Sequence, residues 1–181
     1  MPQLIIPDTR VRDSFTAAMT EFRAEGRGGP DDPSMIGVET RRYGHRWLEP
    51  DGVAWYVAEL RAQVRPGPAL PEGWVPCTTL WYVEGDDYLG RIAVRHGLTD
   101  WLLQYGGHVG YDVRPTARRR GHATAMLRDA LPVSRALGLE SLLITCDVDN
   151  IASRKVIEAC GGALEDERGG KLRFWVPTAT A

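Results

Sequence analysis

The sequence predicts an α/β protein, a mixed sheet with helices on both faces. Three observations carry this. Segments of helical periodicity alternate with short apolar runs of strand length, in the order helices, strands, helix, strand, helix, strands. Two hairpin signals, Glu84-Gly85-Asp86-Asp87 and Gly169-Gly170, join strand-like runs. Between them, GGHVGYDVRPTARRRG (Gly106 to Gly121) reads as a strand, a break and an arginine-rich loop that feeds directly into the helical HATAMLRDAL.

Taken in order, Val11, Phe15, Ala18, Met19 and Phe22 fall on one helical face, capped near Asp8 and ended by Gly26. GRGGPDDP then reads as a loop. A second helix is expected from about Pro50, with Val53, Tyr56, Val57, Leu60 and Val64 inward, and Pro66, Pro68, Pro71 and Pro76 mark an irregular link. Thr78 to Val83 and Tyr88 to Val94 read as a strand pair, and His108 to Val113 as a short strand that Pro115 cannot continue. Ala123, Met126, Leu127, Ala130 and Leu131 carry the stripe of an amphipathic helix. Within it Pro132 lacks an N–H and crowds the carbonyl of Arg128, so a kink or a new segment is expected there. Leu142 to Cys146 is an apolar strand. Asn150 is a natural N-cap for the helix that follows through Cys160, and Gly161 a natural residue just past its end. Ala163 to Arg168 and Lys171 to Val176 complete the last hairpin.

With 181 residues the chain is most simply one domain, 1–181, large enough for a real core. A net charge of −2 implies no general attraction to nucleic acid or to a membrane surface. Basic charge is local instead, at Arg114, Arg118, Arg119 and Arg120. The three cysteines, Cys77, Cys146 and Cys160, are odd in number and lack C-x-x-C spacing, which argues against a disulfide framework. MPQLIIPDTR carries no signal-peptide core and no apolar run approaches membrane length, so a cytoplasmic location is expected.

The arginine loop has a definite chemistry. A helix start offers free N–H groups and the positive end of the macrodipole. Gly121 puts no Cβ in the way of an anion, and forked guanidinium donors suit phosphate oxygens. The stretch therefore reads as an anion cradle, most naturally for a pyrophosphate. Neither G-x-x-x-x-G-K-[ST] nor G-x-G-x-x-G is present.

Arg118-Arg119-Arg120-Gly121-His122-Ala123 resembles motif A of the GNAT family of N-acetyltransferases, Arg/Gln-x-x-Gly-x-Gly/Ala, which holds the pyrophosphate of acetyl-CoA. The strand Leu142 to Cys146, with Asn150, Ser153 and a helix stopped by Gly161-Gly162, resembles the family's motif B, Asn-x-x-Ser/Ala. The resemblance covers roughly Trp74 to Val176. It implies a mostly antiparallel sheet that splays between the strand before the arginine loop and that of Leu142 to Cys146. The pantetheine arm would lie in that gap and pair with backbone at Asp112 and Val113. The resemblance places the pyrophosphate on Arg118, Arg119, Arg120, Gly121, His122, Ala123 and Thr124, with Asn150 and Ser153 fixing the arm. Acetyl-CoA is the implied cosubstrate, and no metal is implied.

The implied reaction is direct attack of a primary amine on acetyl-CoA in a ternary complex. A lysine-like amine (pKa ~10.4) is neutral in about one molecule in 10³ at pH 7. That costs on the order of 4 kcal/mol in rate unless a base or a desolvating pocket helps. Many family members place a Glu base near the start of the strand before the arginine loop. The nearest residue here is His108, which either serves as that base or satisfies a hydrogen bond beside Gly107. The family's Tyr acid falls on Ile157, so its hydroxyl is missing. Cys146, Cys160, Tyr105 and Tyr111 are substitutes in principle, and each also reads as packing. Arg95-His96 either borders the acceptor site or ends a strand in solvent. Trp47, Trp55, Tyr56 and Trp81 line an acceptor pocket or fill the core, and Asp31-Asp32 attracts a cationic amine or is a solvated loop charge. The missing Tyr keeps a non-catalytic acyl-CoA-binding module as an alternative. Nucleic-acid binding through the arginines ranks third, because no interleaved aromatic residues accompany them. The expected acceptor is a small-molecule or peptide amine, no nucleic-acid or membrane partner is expected, and a homodimer is compatible with the sequence.

Overall fold

The computed structural model describes residues 1–67, 70 and 72–179. Pro68 and Pro71 of the expected link lie outside the described residues. Four strands, β1 (Gln3–Ile5), β2 (Cys77–Glu84), β3 (Asp87–Arg95) and β4 (Val109–Val113), form one sheet in the order β1-β2-β3-β4. Three more, β5 (Ser141–Asp147), β6 (Ala163–Arg168) and β7 (Lys171–Pro177), form a second in the order β5-β7-β6. Every ladder within the two sheets is antiparallel. The hairpins close where glycine allows positive φ, at Gly85 (57°) and at Gly169 and Gly170 (56° and 76°).

The five longer helices are α1 (Arg12–Ala24), α2 (Met35–Tyr43), α3 (Gly52–Ala62), α4 (His122–Ala136) and α5 (Ile151–Ala159). They cover both faces of the strands, as the sequence predicts. On one face α4 and α5 bury Met126, Leu127 and Ile157 against Leu80, Ile92, Val94, Ile144 and Phe174. On the other, α1 to α3 enclose an aromatic core around Phe15, which stacks on Trp81 at 4.9 Å and meets Trp47 and Tyr88 edge-on. β2 serves both cores, with Leu80 and Tyr82 turned to the first and Trp81 and Val83 to the second. A strand buried on both faces reads as a continuous apolar run.

Asp8 accepts from the amide of Arg10 and starts a single tight turn, Thr9–Val11, that leads into α1. α4 runs from His122 to Ala136 with Pro132 inside it, so of the kink or new segment expected there no new segment begins. Pro132 and Arg128 both lie on the exposed side, where water can solvate the carbonyl that Pro132 leaves without a donor. Three features escaped the sequence reading: the three-residue β1, the nine-residue α2, and a wide helical turn at Leu102–Gly106 in which the Gly107 amide donates to the carbonyl of Leu102. Among the described residues no helix is long and apolar enough to cross a membrane.

Just before β4 begins, two hydrogen bonds join the chain to β5. The His108 amide donates to the carbonyl of Leu143 (2.7 Å), and the Leu143 amide donates to His108 Nδ1 (2.9 Å). From this vertex β4 and β5 run on into separate sheets, leaving a wedge toward Val113 and Asp147. Gly107 permits the junction. Its φ is 62°, and a Cβ there would lie 2.5 Å from the Leu143 carbonyl oxygen.

Candidate functional site

The open end of the wedge faces the start of α4. Arg119 (φ 64°) and Gly121 (φ 80°) are both left-handed, and Gly121 caps the helix without any side-chain bond to its first amides. A turn of this kind, followed by free helix-start amides, forms an anion-binding concavity. The arginines divide into two pairs. Arg118 grips Glu25, just past the end of α1, with both arms (2.7 and 2.8 Å) and donates from Nε to the Val113 carbonyl (3.1 Å). Arg114 meets Glu21 Oε1 with Nε and Nη2, each at 2.7 Å. These two fasten the loop to α1. Arg119 and Arg120 are exposed and form no ion pair among the described residues, so theirs are the charges left for an anion.

Asn150 Oδ1 accepts from the Ser153 amide (3.0 Å), the expected cap of α5, and Gly161 (φ 84°) follows the helix end. Ser153 Oγ and Tyr111 Oη lie 2.6 Å apart and tie α5 to β4 across the wedge. Burial, above all, pushes the Tyr111 phenol up to about 12, so it keeps its proton at neutral pH. Ile157 is fully buried in the core beneath. Cys146 packs in the same core, where burial raises its thiol above the ordinary range, and Cys160 lies against the Thr124 carbonyl at 3.6 Å. His122 rests edge-on against Tyr82.

A cavity of about 580 Å³ opens on the other face of β4, beside the vertex. Its floor is the strand surface, and register explains the hollow. Trp81, Arg91 and Asp112 form one cross-strand row; Thr79, Ala93 and Gly110 form the next. That second row has no large side chain, so space remains above it. Met35 and Val38 of α2, Trp74, Trp101 just before the wide turn, and Leu102 and Tyr105 within it form the walls, with Lys171 of the last hairpin alongside.

The two ends of the floor differ in charge. At one end Arg91 is buried with Glu39 Oε2 at 3.4 Å and Asp112 Oδ2 at 3.6 Å. Tyr56 Oη accepts from Arg91 (2.8 Å) and donates to Glu39 (2.5 Å). Burial holds the Asp112 carboxyl above its usual range despite Arg91. At the vertex end Arg95 donates to the carbonyls of Gly106 (3.2 Å) and Gly107 (3.1 Å). His108 beside it is 6% exposed. Burial first, and then the charge of Arg95, push its imidazole down to about 4.

The Acetyltransferase (GNAT) domain model matches residues 33–163, from just before α2 to the start of β6. The chain belongs to the GNAT acetyltransferase family. No curated protein sequence matches it significantly. Solved GNAT-fold structures are similar over nearly all of its length. Mycobacterium smegmatis RimJ in complex with CoA-disulfide has a TM-score of 0.66 at 17% identity, covering 97% of this chain and 81% of that one. The PaiA N-acetyltransferase from Thermoplasma acidophilum in complex with coenzyme A has a TM-score of 0.61 at 9% identity, covering 98% and 99%. MccE, a microcin self-immunity acetyltransferase in complex with acetyl-CoA and AMP, has a TM-score of 0.59 at 12% identity, covering 97% and 92%. The splayed α/β fold expected from the motifs is thus the GNAT fold.

In this GNAT chain the structure decides between the acceptor-side alternatives. Trp47, Tyr56 and Trp81 lie in the aromatic core away from solvent, and Trp55 is covered by Arg46 at 4.1 Å. Asp32 accepts from the amides of Gly28 (3.1 Å) and Ser34 (3.0 Å), which stabilise its charge and organise the loop before α2. Of the pair Arg95-His96, Arg95 lines the cavity, while His96 Nε2 is engaged with Thr78 at 2.8 Å. Tyr105 sits on the wide turn at the cavity wall. Glu39, Arg91, Trp74 and Trp101 were missed. The only local signal for them was Arg91 itself, a charge in the middle of an apolar strand.

Proposed function

We propose that this GNAT acetyltransferase moves the acetyl group of acetyl-CoA to a primary amine held in the cavity. The observation that carries the reading is the meeting of two spaces at one vertex. The wedge between β4 and β5 runs from the α4 amides to His108, and the cavity reaches the same place past Gly106, Val109 and Gly110. The residues fit the cosubstrate. Free amides at the start of α4, with Arg119 and Arg120, suit its pyrophosphate, and the outer edge of β4 at Asp112 and Val113 offers backbone to its pantetheine arm. Arg118 acts by holding the loop to α1, while Gly121, His122, Ala123 and Thr124 present amides. Asn150 and Ser153 border the arm from α5.

Acetyl-CoA supplies the activated acetyl thioester. The amine nitrogen bonds to the acetyl carbon as the carbon–sulfur bond breaks, and the amine's proton ends on the thiol. Enclosure in the cavity disfavours an ammonium ion and so raises the share of neutral amine. His108 serves as a clamp between the sheets, since its Nδ1 lone pair is already occupied by the Leu143 amide. Cys146 serves as packing. Tyr111 keeps its proton and lies on the wedge side of β4, where it is available to the departing sulfur. The similar structure of RimL, a ribosomal L7/L12 alpha-N-protein acetyltransferase, makes a protein N-terminus one class of amine to test.

The direct test is an acceptor screen that follows release of free CoA, with acetyl-CoA alone as control. CoA release driven by some amine is expected. Tight acetyl-CoA binding without turnover of any amine would instead favour the non-catalytic module. Gly121→Asp places a carboxylate in the anion concavity and is expected to weaken CoA binding by at least about tenfold, roughly one repulsive charge contact. Unchanged affinity by calorimetry would remove the phosphate role from this loop. Asn150→Ala is expected to lower stability by ~1 kcal/mol through loss of the cap and to weaken CoA binding as well. A lower melting temperature with wild-type CoA affinity would make Asn150 purely structural.

A further inference from the structure

Arg95 is the unusual charge in the cavity. It is half-buried, and its described partners are the Gly106 and Gly107 carbonyls, with no carboxylate in ion-pair range among the described residues. The cavity's other cations are neutralised: Arg91 by Glu39 and Asp112, and Lys171 by Asp147 at 2.5 Å. A guanidinium taken out of water without a counter-charge is costly unless a ligand provides one. The walls beyond it are apolar and aromatic, from Met35, Trp74, Trp101, Leu102 and Tyr105.

We infer that the acceptor is a free α-amino acid with an apolar or aromatic side chain, its carboxylate held by the Arg95 guanidinium. This rests on the acetyltransferase reading above and names the substrate of that site. The placement follows from covalent geometry. In an α-amino acid the carboxylate and the amine share one carbon. Arg95 is bonded to Gly106 and Gly107, the residues that lead into the vertex at His108. A carboxylate forked on Arg95 therefore puts the amine at the end of the wedge, where the acetyl group must arrive. The side chain then extends over Thr79, Ala93 and Gly110 between the aromatic walls. A cavity of about 580 Å³ has room for it. The new bond joins the α-nitrogen to the acetyl carbon, the thioester carbon–sulfur bond breaks, and the amine proton leaves on the CoA thiol. The product is an N-acetyl amino acid.

The test compares L-phenylalanine and L-leucine with phenylalaninamide, leucinamide and phenethylamine as acceptors, following CoA release. L-Phenylalanine binding to the protein alone is measured by calorimetry. The acids are expected to exceed the amides and the amine in kcat/KM by about 30-fold or more, the usual effect of leaving a buried charge unpaired. Arg95→Gln is expected to shrink that preference at least tenfold and to abolish phenylalanine binding, while Arg95→Lys restores part of both. Amides or phenethylamine acetylated as fast as the acids would overturn the inference and leave the acetyltransferase reading standing. So would an acid preference that survives in Arg95→Gln. Absence of CoA release with every amine, but retained phenylalanine binding lost in Arg95→Gln, would uphold the carboxylate site and sink the transfer reading instead. The wild-type comparison needs no variant to fold.

Discussion

Replacing Arg91 by methionine is expected to remove about 3–5 kcal/mol of folding stability, the usual result of breaking a buried ion pair from one side. Arg91 is 2% exposed. It stands between Glu39 and Asp112, with Tyr56 bridging to Glu39, so its loss strands two carboxylates in the interior. Methionine restores the volume of the stem and isolates the electrostatic part. The deficit should narrow as pH falls, because a stranded carboxylate escapes the cost by taking up a proton. Denaturant titrations of wild type and variant at neutral and mildly acidic pH measure both features. A loss below about 1 kcal/mol at neutral pH would mean that the cluster is not held as an ion triad. Because this cluster forms one end of the cavity floor, an intact fold with altered acceptor affinity is expected in milder changes such as Tyr56→Phe.

His108→Gln is expected to keep most of the activity at pH 8 while changing how stability depends on pH. The imidazole titrates near 6.5 when unfolded and at about 4 when folded. The folded state therefore binds fewer protons across that window. The contribution of His108 is fully present above about pH 6.5 and is lost progressively as pH falls toward 4. The shift corresponds to a loss on the order of 3 kcal/mol. A glutamine oxygen can still accept from the Leu143 amide but does not titrate in this range. The variant should therefore lack that acid-side loss, and melting temperatures across pH 4 to 8 would show it. Kinetics decide between clamp and base. Removal of a general base lowers the rate by about 10²–10⁴-fold, so a loss of that size at pH 8 in a folded variant that still binds acetyl-CoA would restore His108 to the chemistry.

The local sequence determined the elements whose reasons are local. Asn150 caps α5, Gly161 ends it, paired glycines close the last hairpin, and the apolar stripe of α4 packs inward, because each depends on residues within one or two turns. The left-handed Gly121 at the start of α4 is of the same kind, and with the second motif it marked the GNAT family. α2 escaped notice because nine residues containing Gly37 and β-branched Val38 and Thr40 are weak helix material, held by tertiary packing of Ile36 and Tyr43. The division of the arginines was also not legible, since it depends on Glu21 and Glu25, more than ninety residues away in the chain. Only the tertiary structure decided the candidate site. Cross-strand register set the small row of Thr79, Ala93 and Gly110 that leaves the cavity, and it stacked Arg91 on Asp112. The paired hydrogen bonds of His108 and Leu143 fixed where the wedge ends. These are contacts between residues distant in sequence, chosen by burial and hydrogen-bond satisfaction over the whole sheet, and no local pattern encodes them.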